Sequence, residues 1–115
     1  MSKNDIVKKV SNEVVEKSIE LMGEKIDRII LYGSYARGDF TSESDIDILI
    51  LLNCAEKEVI HYRKQIDIIA SRIGLENDIL VSLMIVDKHL FEDRVKVLNF
   101  FQNVQKEGVT LFEQL

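Results

Sequence analysis

The run Asp45-Ile-Asp-Ile-Leu-Ile-Leu-Leu52 constrains the fold more than any other stretch of this sequence. Its β-branched and apolar residues are typical of a buried strand, and a period of two places Asp45 and Asp47 on one face. Their Cα atoms would lie about 6.6 Å apart along such a strand. Two carboxylates held this close repel each other unless a cation binds them, and their oxygens suit Mg²⁺. The run therefore predicts a strand with a metal site at its start.

A second apolar run, Ile26 to Tyr32, predicts the strand that precedes this site. It ends at Gly33-Ser34, where a helical turn over residues 35–37 is expected to begin. Glycine lets the backbone approach a ligand closely, and the free N–H groups of such a turn bind anions, with the Ser34 hydroxyl as an added donor. We therefore expect a phosphate-binding turn that faces the two aspartates.

Ten residues separate Gly33-Ser34 from Asp45-x-Asp47, and this spacing resembles the signature of the DNA polymerase β-like nucleotidyltransferase superfamily. The motifs Gly-Ser-Tyr-Ala-Arg-Gly and Ser-Asp-Ile-Asp look most like its small single-domain branch, the minimal nucleotidyltransferases (MNT proteins). The resemblance implies that Gly33 and Ser34 hold a nucleoside triphosphate and that Asp45 and Asp47 bind Mg²⁺, with two ions in the site.

Three further residues are candidates for the same site. Members of the superfamily usually supply a third carboxylate from a neighbouring strand, but the interior of the predicted third strand holds no acid, which departs from the family pattern. Asp78, at the start of that strand, is predicted for this metal-binding and catalytic role, with Asp87 as second choice. An aspartate between a helix and a strand also occurs for turn reasons alone. Arg37 either reaches the nucleotide or is a solvated charge on a short helix, and the sequence leaves both interpretations open.

The hydrophobic pattern predicts an α/β (α+β) fold, a small mixed sheet flanked by helices, and the resemblance implies the nucleotidyltransferase fold. Asp87 is expected to cap the helices that follow the third strand. The predicted elements are a helix over 2–22 ended by Gly23, strands over 26–32 and 45–52, a helix over 55–73 closed by Gly74, a strand over 78–86, one or two helices within 88–106, and a short strand over 109–112.

Composition limits the class of protein. The chain of 115 residues has no Pro/Gly/Ser-rich linker, so a single domain over residues 1–115 is predicted. The net charge is −5 and no window gathers lysine or arginine into a stripe, which argues against long nucleic acid as a substrate. No apolar stretch has membrane-spanning length and no signal-peptide core is present, so we predict a cytoplasmic protein without membrane attachment.

The resemblance also implies a reaction and a partner. MNT proteins are commonly paired with a helical HEPN ribonuclease toxin and act as antitoxins by transferring AMP from ATP to a tyrosine of that toxin. A non-catalytic antitoxin or binding module is the first alternative, and a small-molecule nucleotidyltransferase working as an oligomer is the second. The neighbouring rings Phe100 and Phe101 leave one aromatic side chain exposed for a partner.

Overall fold

Five helices and four strands follow one another along residues 2–115, the part of the chain that the computed structural model describes. A 3₁₀ turn, Gly23–Lys25, joins the first helix to the first strand. Within the described residues, no helix is both long and apolar enough to span a bilayer. The elements are α1 (Lys3–Met22), β1 (Ile26–Tyr32), α2 (Ser34–Arg37), β2 (Ile46–Leu52), α3 (Glu56–Asn77), β3 (Val81–Asp87), α4 (Lys88–Arg94), α5 (Asn99–Glu107) and β4 (Val109–Glu113).

The four strands form one mixed sheet in the order β3-β2-β1-β4. Strand β1 is antiparallel to both β2 and β4, whereas β2 and β3 are parallel and are joined by α3 as the crossover helix that parallel strands require. The predicted mixed sheet flanked by helices is confirmed.

The two faces of the sheet are covered differently. On one face, α1 and α3 pack over alternate residues of β2, and Ile46, Ile48 and Ile50 are fully buried there. On the other face, Leu49 and Leu51 pack against aromatic and aliphatic residues of α4 and α5. Because side chains alternate along a strand, Asp47 lies on the face that α4 and α5 cover. Asp47 therefore lies on the face of the sheet opposite the larger hydrophobic cluster, which α1 and α3 cover.

The end of α3 and the start of β3 differ from the prediction. Gly74 does not close α3, which continues to Asn77 and is capped by Asp78 in the left-handed conformation, with φ 52°. Gly74 is required there because a Cβ atom would lie 2.7 Å from the Ile79 carbonyl oxygen, where the chain folds back over the helix. Strand β3 consequently begins at Val81, and Asp78 is not part of it.

The elements after β3 agree with the sequence. The Asp87 side chain caps α4 by accepting a hydrogen bond of 3.0 Å from the His89 N–H. The segment predicted as one or two helices forms two, α4 and α5, and the short terminal strand is present as β4. Both helices pack on the sheet through a hydrophobic cluster that includes Phe91, Phe101 and Val104, all of which are buried.

Ser18 offers a test of the packing between α1 and the sheet. Its side chain is fully buried in the C-terminal half of α1, and its hydroxyl has no hydrogen-bond partner among residues 2–115. Because an unsatisfied buried hydroxyl is costly and alanine favours a helix, we expect Ser18→Ala to raise the free energy of unfolding by about 1 kcal/mol in urea denaturation. The exposed Ser71→Ala variant of α3 is the control, and an equal gain there would contradict the role of the buried hydroxyl.

Candidate active site

The end of β1 lies directly against Asp47. Tyr32, the last residue of β1, pairs with Asp47 on β2, and the next residue is Gly33, with φ 80° and ψ −157°. A Cβ atom at Gly33 would lie 2.5 Å from Oδ2 of Asp47. Only glycine allows both this backbone conformation and this close approach. The predicted proximity of the Gly33-Ser34 turn and the aspartates is therefore present in the fold.

Helix α2 starts at Ser34, directly after the glycine that lies against Asp47. The amides of Ala36 and Arg37 donate to the Gly33 carbonyl at 3.1 and 3.0 Å. The N–H groups of Ser34 and Tyr35, in the first turn, have no carbonyl acceptor within the helix. Together with the Ser34 hydroxyl, they are the donors that a phosphate group needs beside a metal site.

The loop between α2 and β2 folds back through side-chain contacts. The rings of Tyr35 and Phe40 stack with their centroids 4.6 Å apart. The Thr41 N–H donates to Ser44 Oγ at 2.8 Å, and the Glu43 N–H donates to Thr41 Oγ1 at 3.3 Å. Ser44 therefore closes the turn through its side chain, and the loop returns the chain to β2 next to Gly33.

Asp45 and Asp47 share one electrostatic neighbourhood with Tyr32 and Arg37. Partial burial raises the pKa of Asp47, and the nearby charge of Asp45 raises it further, whereas Arg37 lowers it. Burial, with a smaller contribution from Asp47, raises the pKa of Tyr32 to about 12. The charged form of Asp47 is thus disfavoured in the protein alone, and a bound cation would relieve that cost.

Arg37 is exposed and held by two carboxylates. Its Nε lies 3.1 Å from Oδ2 of Asp39, and its Nη1 lies 3.4 Å from Oε2 of Glu107 at the end of α5. It also influences Asp47 electrostatically, and its contact with the nucleotide stays a prediction. Glu107 was not among the predicted site residues, because no local pattern links it to a residue 70 positions away.

The structure places the Gly33-Ser34 turn beside Asp47 and Asp45, whereas Asp78 lies outside β3, at the end of α3. The residue of β3 paired with Asp47 is Ser82, whereas Asp78 is exposed and caps α3. Among residues 2–115, no three His, Cys, Asp or Glu side chains form a group that could hold a metal ion. Ser82 was missed because the register between β2 and β3 cannot be read before the start of β3 is known.

The donor set at the start of β2 fits Mg²⁺. Asp45 is exposed and Asp47 is half-buried, so the pair offers hard carboxylate oxygens that remain accessible to a ligand. Mg²⁺ is commonly held by one or two carboxylates and completes its shell with water and phosphate oxygens. The absence of a side chain at Gly33 is what allows the Asp47 carboxylate to lie directly against the Gly33-Ser34 turn.

Comparison with known proteins identifies the family. Residues 7–107 match the family model described as a nucleotidyltransferase domain. The chain belongs to this family. A relative from Methanocaldococcus jannaschii, provisionally named a protein adenylyltransferase, is 40% identical over 89 residues, which are 77% of this chain and 82% of the relative. The predicted membership is confirmed.

Two solved structures show the same fold. A nucleotidyltransferase, so named provisionally, from Sulfolobus solfataricus is 25% identical, with a TM-score of 0.61 over 92% of this chain and 79% of that chain. The complex of a tri-AMPylated Shewanella oneidensis HEPN toxin with its MNT antitoxin contains a chain that is 19% identical, with a TM-score of 0.50 over 94% of this chain and 73% of that chain. The predicted nucleotidyltransferase fold is confirmed.

Proposed function

We propose that this nucleotidyltransferase-family chain is a Mg²⁺-dependent protein adenylyltransferase that transfers AMP from ATP to a tyrosine hydroxyl of a HEPN-type partner, and so acts as an antitoxin. The observation that carries the proposal is the contact of the Gly33 backbone with Asp47, next to Asp45 and the first turn of α2. The AMPylated toxin bound to the Shewanella oneidensis protein and the adenylyltransferase name of the archaeal relative support the choice of AMP and of a protein acceptor.

In the proposed mechanism, the N–H groups of the Gly33-Ser34 turn and the Ser34 hydroxyl hold the β- and γ-phosphates of ATP. Asp45 and Asp47 would hold Mg²⁺, and the bound ion would supply positive charge to the phosphate oxygens. Arg37 adds a positive charge beside the same carboxylates. These residues position the triphosphate, and positioning with charge stabilisation provides most of the catalysis in this class of reaction.

The reaction forms one bond and breaks one bond at the α-phosphorus. The acceptor oxygen attacks the α-phosphorus, the bond from that phosphorus to the oxygen bridging to the β-phosphate breaks, and pyrophosphate leaves. The acceptor proton passes to solvent. A phenol, with a pKa near 10, loses its proton more easily than an aliphatic hydroxyl. Among residues 2–115, no third carboxylate joins the two aspartates to take the proton from the acceptor. A tyrosine, which loses its proton more readily, therefore suits this site.

The proposal is tested by incubating the purified chain and its HEPN-type partner with Mg²⁺ and ATP labelled on either the α- or the γ-phosphate. We expect label on the partner from α-labelled ATP only, because AMP and not phosphate is transferred. Chelation of Mg²⁺ should abolish the labelling. A tight complex that acquires no label would contradict the enzymatic function and favour the alternative of an antitoxin that acts by contact, which the two-carboxylate site keeps open.

Asp78 stays the predicted third carboxylate, and the same assay tests it. Asparagine tolerates the left-handed backbone conformation of this residue, so Asp78→Asn retains the cap of α3. A loss of labelling as large as that of Asp45→Asn would support a catalytic role. Labelling equal to that of the unmodified chain would exclude Asp78 from the site.

A further inference from the structure

An exposed apolar surface lies between α4 and α5. Val97, Leu98 and Phe100 are 73%, 40% and 41% exposed, respectively, whereas their neighbours Phe101 and Val104 are buried in the hydrophobic cluster. Together with the exposed Arg94 and Lys96, they form what we call the α4–α5 surface. The cluster under the helices is complete without these three apolar side chains, so the fold alone does not account for their exposure.

The α4–α5 surface is basic in an acidic protein. Residues 94–106 contain three cationic side chains, those of Arg94, Lys96 and Lys106, and no aspartate or glutamate, whereas the whole chain has a net charge of −5. Three acids flank this segment: Glu92 pairs with Lys88, Glu107 pairs with Arg37, and Asp93 is exposed beside Arg94. A segment that combines exposed apolar groups with positive charge is complementary to a polypeptide that carries apolar and acidic side chains.

This surface adjoins the candidate active site. The ring of Phe100 meets the ring of Tyr32 edge-on, with centroids 5.5 Å apart, and Tyr32 pairs with Asp47 across β1 and β2. At its other end, α5 contacts the nucleotide-binding turn through the pair of Glu107 and Arg37. A polypeptide bound to the α4–α5 surface would therefore continue into the site on the same face of the sheet.

We propose that the α4–α5 surface binds the acceptor protein, through a segment in which acidic and apolar side chains flank the hydroxyl that receives AMP. The inference rests on the proposed function, because it assigns the acceptor to the open side of that same site. The cations Arg94 and Lys96 attract the acidic segment, which Asp45 and Asp47 would otherwise repel, and Val97, Leu98 and Phe100 bury its apolar side chains.

The experiment uses two fluorescein-labelled peptides with a central tyrosine between leucines, one flanked by glutamates and the other by lysines. Binding is measured by fluorescence anisotropy and AMP transfer by label from α-labelled ATP. We expect the acidic peptide to bind at least tenfold more tightly than the basic one. The preference should weaken as salt rises from 50 to 300 mM, since exposed charges are screened over about 10 Å at 0.1 M.

Two double variants and a matched control locate the binding. Arg94→Glu/Lys96→Glu should remove the preference for the acidic peptide, and Val97→Ser/Leu98→Ser should weaken the binding of both peptides at least fivefold. The control, Ile68→Ser/Leu75→Ser, removes two exposed apolar side chains from α3, which are 51% and 85% exposed, and should leave peptide binding unchanged. All variants alter exposed residues, and circular dichroism verifies that each remains folded.

The outcomes separate this inference from the proposed function. Peptide binding that no α4–α5 variant weakens would overturn the inference, even where AMP is transferred. Binding that depends on this surface, without transfer of AMP to any acceptor, would support the inference and overturn the proposed function. A Phe100→Ala variant whose only change is a higher KM for ATP would assign the ring to the adenine base and also overturn the inference.

Discussion

Asp47→Asn is expected to lower AMP transfer by roughly 10³-fold or more while making the metal-free protein more stable. The loss is the size seen when one charge-stabilising group is removed from a site of this type. Asparagine has the same shape but carries no charge, so it is a poor ligand for Mg²⁺. Transfer is measured with α-labelled ATP, and Mg²⁺ binding is measured as the rise in melting temperature that the ion causes.

The gain in stability follows from the raised pKa of Asp47. A carboxyl group whose pKa is higher in the folded protein than in the unfolded chain favours folding when protonated. That contribution is complete below the pKa of the unfolded chain and is lost as the pH rises through the folded pKa. At pH 7 the ionised Asp47 therefore destabilises the fold, and asparagine removes this cost.

The expected gain is small, on the order of 0.5 kcal/mol, because water screens a half-buried pair of charges. It should disappear at pH 3, where the native aspartate is protonated as well, and urea denaturation at the two pH values measures it. For the same reason, Mg²⁺ binding should weaken on acidification at a higher pH than it would for an exposed aspartate. A variant that is less stable than the unmodified chain at pH 7 would contradict the electrostatic description of the site.

The parts of the site that the sequence predicted are local. Gly33, Ser34, Asp45 and Asp47 lie at the two ends of one loop between adjacent strands, so their spacing already limits their separation in space. The loop that joins them is held by contacts among its own residues, such as the hydrogen bond from the Thr41 N–H to Ser44 Oγ. Local chemistry is sufficient where one short connection determines the geometry.

The parts that the sequence did not predict depend on distant contacts. The position of Gly74 predicts a helix end, because glycine often ends helices, but in the structure Gly74 allows the approach of the Ile79 carbonyl to α3. The chain therefore enters β3 only at Val81. As a result, Ser82 rather than Asp78 lies beside Asp47. The pair of Arg37 and Glu107 likewise joins elements that only the tertiary fold brings together.

Gly33→Ala is expected to disrupt the site more severely than any other change of a single methyl group. The conformation at φ 80° and ψ −157° is essentially restricted to glycine and costs an alanine about 1–3 kcal/mol. In addition, the new Cβ atom would lie 2.5 Å from Oδ2 of Asp47, too close for either group to remain in place. The turn or the carboxylate must move, and both are needed to hold ATP and Mg²⁺.

Gly38→Ala is the matched control because it separates backbone strain from the contact with Asp47. Gly38 also has a positive φ, 89°, but a Cβ atom there would meet nothing within 4 Å. We expect Gly38→Ala to lose about 1 kcal/mol of stability, the cost of a left-handed alanine, and to retain ATP binding and AMP transfer. Gly33→Ala should show a comparable or larger loss of stability and, in isothermal titration, no measurable binding of ATP with Mg²⁺. Equal nucleotide binding by the two variants would mean that the contact between Gly33 and Asp47 does not form the nucleotide site.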